Sequence, residues 1–83
     1  MKYTVIWKSE AERRLATLWM NAPDRKALTD AANRIDVLLS LDPENQGESR
    51  ASGRRVLLDA PLGVVYTVLP DALTVLVLAV WAF

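Results

Sequence analysis

Three arginines in the second half of the chain are the side chains best suited to bind a charged ligand. Arg50, Arg54 and Arg55 form the one local basic cluster of the sequence. Guanidinium groups bind phosphates and carboxylates through charge-assisted hydrogen bonds, which favours nucleic acid or acidic residues of a partner as the ligand. The alternative is a solvated strand edge whose charges discourage edge-to-edge pairing. Consecutive strand residues face opposite sides of a sheet, so Arg54 and Arg55 are expected to serve different surfaces.

Acid–base catalysis has few candidates. The sequence contains no histidine and no cysteine, which excludes histidine-based catalysis, the Ser-His-Asp triad, thiol chemistry and disulfides. Arg54 can stabilise charge but stays protonated, and Tyr66 is either a catalytic phenol or a packed strand tyrosine. These two residues are the weak catalytic candidates. We expect the lysines, Lys2, Lys8 and Lys26, to lie away from the strand region that carries Arg54 and Tyr66. Carboxylates do not cluster at metal-ligand spacing, so we expect no metal and no cofactor.

Length and composition indicate one folded domain over residues 1–83. Hydrophobic residues make up 52% of the chain, which excludes a disordered protein. Ten basic residues balance ten acidic ones, which argues against whole-molecule attraction to nucleic acid. The longest apolar run, residues 75–83, is far shorter than the roughly 20 residues that a membrane helix needs. With no targeting segment in view, we expect a cytoplasmic protein without membrane contact.

The first half of the chain predicts a strand followed by a helical hairpin. Residues 2–7 predict a strand, because Tyr3, Val5 and Trp7 alternate with Lys2, Thr4 and Ile6 and β-branched and aromatic residues dominate. Ser9 and Glu12 have the spacing of a capping box at a helix start, and this helix should end near Asn21. Asp24 can cap a second helix that ends near Leu41. The apolar residues expected to face the sheet are Ala11, Leu15, Leu18, Trp19, Leu28, Ala31, Ala32, Ile35, Leu38 and Leu39.

The second half predicts a polar loop and three strands. Residues 42–53 are polar and contain two glycines and one proline, as expected of a loop. Strands follow over 54–58, 64–69 and 73–81, joined by short turns that make them an antiparallel meander. The element order is therefore β-α-α-β-β-β. It predicts an α+β fold in which an antiparallel helical hairpin packs on a four-stranded, mostly antiparallel sheet.

The last strand is apolar on both faces. No polar residue interrupts residues 75–83, which indicates a central strand that is buried on both sides. A helical hairpin covers only one face, so a partner protein or a second copy is expected to cover the other. Strict alternation would place Val77, Trp81 and Phe83 together on one side. We therefore name these three residues as candidates for the interface of a homodimer or of a complex.

Several ordered motifs of this chain resemble the RelE/ParE toxin family of bacterial type II toxin–antitoxin modules. The resemblance covers nearly the whole sequence. It rests on Val5-Ile6-Trp7 followed by Ser9-Glu10-Ala11-Glu12, on Ala32-Asn33-Arg34-Ile35 with Leu38-Leu39, on Gly53-Arg54-Arg55-Val56-Leu57, on Val64-Val65-Tyr66, and on Leu73-Thr74-Val75-Leu76 with Ala79-Val80-Trp81.

The resemblance implies a toxin, an antitoxin partner and one of two targets. RelE-like members cleave ribosome-bound mRNA with basic residues on the sheet, whereas ParE-like members block DNA gyrase. Both kinds bind an antitoxin peptide. This sequence departs from the pattern at Gly63, where the family usually carries an arginine, and after Trp81-Ala82-Phe83, where the family often continues with a basic tail. Of the basic RelE set, Arg54, helped by Arg55, is retained by position.

The sequence leaves three functions open. The favoured one is a toxin-like protein that binds its target in the ParE manner and is neutralised by an antitoxin. The second is a ribosome-dependent mRNA endonuclease of the RelE type, which the missing basic residues disfavour. The third is a non-toxic, degenerate member that serves as a dimerisation or antitoxin-binding module.

Overall fold

In a computed structural model that describes residues 2–83, two helices pack on one face of a five-stranded sheet. The strand order is β1-β5-β4-β3-β2. Strand β1 is parallel to β5, and the other pairs are antiparallel. The elements are β1 (Thr4–Trp7), α1 (Ser9–Asn21), α2 (Arg25–Leu41), β2 (Glu48–Ser49), β3 (Arg54–Asp59), β4 (Leu62–Leu69) and β5 (Thr74–Ala82).

The predicted α+β class and element order are confirmed, with one strand more than expected. Strand β2 holds two residues inside the polar segment 42–53, and it pairs with Arg55 and Val56 of β3. Its polar composition carries no strand pattern, which is why the sequence predicts a loop there. As predicted, β5 is internal and lies between β1 and β4. Neither helix among residues 2–83 combines the length and apolar character needed to cross a membrane.

The two predicted helix caps have different outcomes. Asp24 caps α2 as expected, because its Oδ1 accepts the Ala27 N–H at 3.0 Å. The capping box at Ser9 is wrong, since Lys8 is the N-cap and no side chain caps this end. The Lys8 N–H donates to the Val77 carbonyl of β5 at 3.0 Å, so Lys8 is still extended and paired with the sheet. The helix therefore begins directly at Ser9.

The core lies between the helices and the sheet. Leu28 and Ile35 are buried as predicted, at 3% and 0% exposure, and Leu15, Leu18 and Leu38 pack against the core while remaining partly exposed. The buried apolar residues are Ala11, Leu28, Ala31, Ile35, Leu39, Leu57, Leu62, Val64, Tyr66, Val75, Val77 and Val80.

Trp19 does not face the sheet, contrary to the sequence prediction. Its indole N–H donates to Thr29 Oγ1 at 3.1 Å, and the guanidinium of Arg25 lies 4.7 Å from the ring centre. Arg25 also donates to the Trp19 and Met20 carbonyls at the end of α1. Trp19 thus joins the two helices on their outer side. Helical periodicity alone does not distinguish this position from one that packs in the core.

A β-bulge in β5 overturns the strict alternation expected for this strand. Val65 of β4 pairs with Ala79 and Tyr66 pairs with Val77, so Leu78 is an additional residue without a partner on β4. Such a bulge shifts every later side chain to the other face of the strand. Consequently Val77 and Val80 both point into the core, although alternation would have placed them on opposite sides.

The phasing of α2 can be tested with a pair of aspartate substitutions two positions apart. Ile35→Asp places a charge at a fully buried site and should lower the free energy of unfolding by about 3 kcal/mol or more. Val37→Asp, at a position 54% exposed on the same helix, should cost less than about 1 kcal/mol. Urea unfolding followed by circular dichroism measures both. Equal losses in the two variants would contradict the assigned helix face.

Candidate functional site

Both helices pack on one face of the sheet, and we call the opposite face the open face. Alternation along the strands places side chains of β1, β3, β4 and β5 on it. Two of them are strongly exposed, Ile6 at 46% and Leu58 at 60%. Its apolar floor consists of Ile6, Val56, Leu58, Val65, Leu76 and Trp81.

Gly63 and Trp81 form a tight contact within this floor. The two residues are cross-strand partners, and Leu58 is the partner of Gly63 on the other side. A Cβ atom at position 63 would overlap the indole ring of Trp81 and lie 2.9 Å from Leu58 Cδ2. The ring therefore lies across the glycine and fills the space above it. The family arginine that the resemblance led us to expect at position 63 does not fit while the indole holds this place.

Arg54 lies at one corner of the open face, beside a small polar cleft. The cleft has a volume of about 300 Å³ and is lined by Lys8, Ser9, Glu10, Arg54 and Leu78. Within residues 2–83, neither Lys8 nor Arg54 forms a salt bridge. The two cations are thus free to bind an anionic group. The expectation that the lysines lie away from the strand region is wrong for Lys8, because the parallel pairing of β1 with β5 carries it there.

Arg55 and Tyr66 lie on the helix side of the sheet and hold the segment before β2. Arg55 Nε donates to the Gln46 carbonyl at 2.9 Å. The Tyr66 hydroxyl is shared between the carbonyls of Pro43 at 2.7 Å and Gln46 at 2.8 Å. Tyr66 is fully buried, and this burial raises the pKa of its hydroxyl although Arg55 opposes the shift. Both side chains are placed to support the loop, away from Arg54.

The three arginines of the sequence cluster therefore have three different environments. Arg50 Nη1 donates to Glu48 Oε2 at 3.0 Å next to the edge strand β2. Because both side chains are at least half exposed, this pair adds little stability. Arg54 remains unpaired on the open face and Arg55 is engaged on the other side. The separation of Arg54 from Arg55 follows the alternation of a strand, as predicted.

The three residues proposed for the interface are likewise separated. Val77 is completely buried beneath the helices, so it belongs to the core and not to an exposed surface. Trp81 lies on the open face. Phe83 is 62% exposed and lines a different, apolar groove of about 610 Å³ between the turn of the helical hairpin and Pro61. The bulge at Leu78 separates Val77 from Trp81, whereas Phe83 lies beyond the end of β5 and is not bound by its alternation.

The open face combines an apolar floor with charged side chains at one corner, where Lys8, Glu10 and Arg54 surround the polar cleft. Among residues 2–83, no group of three or more carboxylates could hold a metal ion, and every buried polar side-chain atom has a hydrogen-bond partner. An apolar floor with a charged rim is the usual composition of a protein–protein interface.

Comparison with known proteins identifies the fold. No model of a protein family matches the sequence, and no curated protein matches it. Solved structures match over nearly the whole chain. A chain of the toxin–antitoxin complex RelBE2 from Mycobacterium tuberculosis is 21% identical with a TM-score of 0.79, covering 100% of this chain and 93% of that one.

Two further structures agree with the first. The chromosomal ParDE system of P. aeruginosa is 18% identical, with a TM-score of 0.76 over 98% of this chain and 96% of that chain. A mutant of the E. coli toxin RelE in the free state is 16% identical, with a TM-score of 0.73 over 99% and 84%. The chain therefore has the fold of the RelE and ParE toxins, which confirms the resemblance seen in the sequence motifs.

The contact between Gly63 and Trp81 can be measured by a double-mutant cycle. Gly63→Ala should lower the free energy of unfolding by about 1–3 kcal/mol, because the added methyl group displaces the indole ring. In a Trp81→Ala background the same substitution should cost about 1 kcal/mol less, since the obstacle is gone. Urea denaturation of the wild type, the two single variants and the double variant gives the free-energy cost of Gly63→Ala in each background. An equal cost in the two backgrounds would show that the ring does not occupy the space above Gly63.

Proposed function

We propose that this chain is the toxin-like component of a type II toxin–antitoxin module and that it acts by binding a cellular target, in the ParE manner, rather than by cleaving RNA. The observation that supports this most directly is the apolar floor of the open face on a fold shared with RelE and ParE toxins. A surface of this composition buries favourably against apolar residues of another protein.

Recognition of RNA would call for a different surface. Nucleic-acid binding sites neutralise several phosphates along a strand, and their affinity grows with the number of basic contacts. At the corner of the open face, the polar cleft offers two cations, Arg54 and Lys8. Trp81, in contrast, is a half-buried aromatic residue among apolar neighbours, the kind of residue that dominates the energy of protein–protein interfaces.

An antitoxin protein is the partner that this proposal implies. Two of the similar structures are toxin–antitoxin assemblies, RelBE2 and ParDE. By the resemblance to the ParE branch, DNA gyrase is the target to test first, and the ribosome is the target under the RelE alternative. Arg54, with Arg50 and Arg55 as the remaining basic candidates near it in sequence, would contribute the contact to acidic groups of either partner.

The RelE-type endonuclease is a second candidate because of one observation. Lys8 and Glu10 line the same cleft as Arg54, which brings a proton donor, a proton acceptor and a fixed positive charge together. These are the groups that cleavage at a ribose 2′-hydroxyl requires. The small number of cations and the filled position at Gly63 favour the binding function over this alternative.

Inducible expression in a bacterial host tests the proposed function. Induction of the wild-type chain should reduce colony formation at least tenfold, and co-expression of a cognate antitoxin, sought in the short reading frame next to its gene, should restore it. Arg54→Ala should relieve the arrest, because it removes one of the two free cations that line the polar cleft. Arg13→Ala, an exposed arginine on α1, is the matched control and should remain toxic.

The possible results separate the alternatives. Continued growth on induction of a soluble, folded wild-type chain would contradict the toxin proposal and favour the degenerate, non-toxic module. Arrest that Arg54→Ala leaves unchanged while circular dichroism shows a native fold would contradict the role given to this residue. Loss of gyrase supercoiling activity in the presence of purified chain would identify the target.

A further inference from the structure

The open face also bears on self-association of the chain, whether or not the chain is toxic. Its central residues are apolar, and Leu58 and Ile6 expose 60% and 46% of their surface. Both helices pack on the opposite side of the sheet. Monomeric proteins rarely leave a continuous apolar patch of this kind in water. We propose that the isolated chain is a homodimer in which two open faces pack against each other about a two-fold axis.

The shape of the surface suits a second sheet. The indole of Trp81 lies across Gly63 instead of standing away from the strands, and Leu58 borders the ring on the far side. Trp81 and Leu58 thus form a continuous apolar surface over β3, β4 and β5. Two sheets pack face to face when their side chains can meet at about 10 Å separation, with strand directions about 30° apart. Trp81 lies toward the end of the sheet where β3 ends and β4 begins, and a partly buried aromatic ring is a frequent anchor of an interface.

The area of the open face is close to the minimum for a specific dimer. Its four strands, β1, β3, β4 and β5, have 4, 6, 8 and 9 residues, so at about 3.4 Å per residue and 4.8 Å per strand the flat face covers about 440 Å². A pair of copies would bury about 900 Å² on this flat basis, and the relief of the side chains brings the buried area toward the roughly 1,000 Å² of a specific interface.

Charge favours a second copy over a strongly charged partner. The chain carries ten basic and ten acidic residues and has no formal net charge, so two copies do not repel each other at long range. A two-fold interface must be complementary to itself. The rim of the open face can be complementary to a second copy of itself, because it contains charges of both signs. The cations are Lys8 and Arg54, and the anions are Glu10 and Glu48. A target that uses the open face would then have to displace the second copy.

Sedimentation equilibrium of the purified chain, over about 1 to 300 µM protein, tests the dimer. The wild type should reach twice the monomer mass. Trp81→Glu and Leu58→Glu should each weaken association at least tenfold, because they place a charge in the floor of the interface. Met20→Glu and Val37→Glu alter helix residues that are 66% and 54% exposed, and they should leave the association constant unchanged.

Each other outcome overturns the proposal. A wild type that stays monomeric at the highest concentration excludes self-association. A dimer that Met20→Glu or Val37→Glu disrupts, and Leu58→Glu does not, has its interface on the helices. Circular dichroism verifies that each variant folds. If Trp81→Glu does not fold, Leu58→Glu alone tests whether the open face is the dimer interface. Leu58 is already 60% exposed, so a charge there is compatible with folding. A failure here leaves the growth experiment unaffected, because that experiment measures toxicity and this one measures mass.

Discussion

Strand β5 is the element on which the rest of this structure depends. It is apolar from Val75 to Ala82, and it lies inside the sheet between the parallel strand β1 and the antiparallel strand β4. Two helices cover one of its faces, where Val75 and Val77 are completely buried. The other face has no helix over it. The same strand that provides the centre of the core therefore also creates the apolar surface that a partner can bind.

Two local features decide the form of that surface. The bulge at Leu78 returns Val80 to the core and leaves Trp81 on the open face. Gly63 then offers the space in which the indole ring lies. Where the RelE/ParE resemblance leads one to expect a cation, this chain has a flat aromatic platform. Two neighbouring positions thus put an apolar contact where the resemblance predicts a cation.

Much of the fold can be predicted from the sequence, because its signals are local. The alternation of β1, the stripe of α2 and the Asp24 cap each depend on a few adjacent residues. The bulge at Leu78 and the two-residue strand β2 depend on cross-strand pairing instead, and local patterns do not contain that information. The same difference between local signals and long-range pairing applies to the candidate site. Alternation separates Arg54 from Arg55, but the approach of Lys8 and Glu10 to Arg54 results from the long-range pairing of β1 with β5.

We propose that this RelE/ParE fold serves for binding and not for RNA cleavage. Incubation of the purified chain with ribosomes programmed with a defined mRNA, followed by primer extension, distinguishes the two functions. If the chain acts by binding, the mRNA should remain full-length at every protein concentration. Codon-specific cleavage by the wild type that disappears in both Arg54→Ala and Lys8→Ala would contradict it and would assign catalysis to the polar cleft.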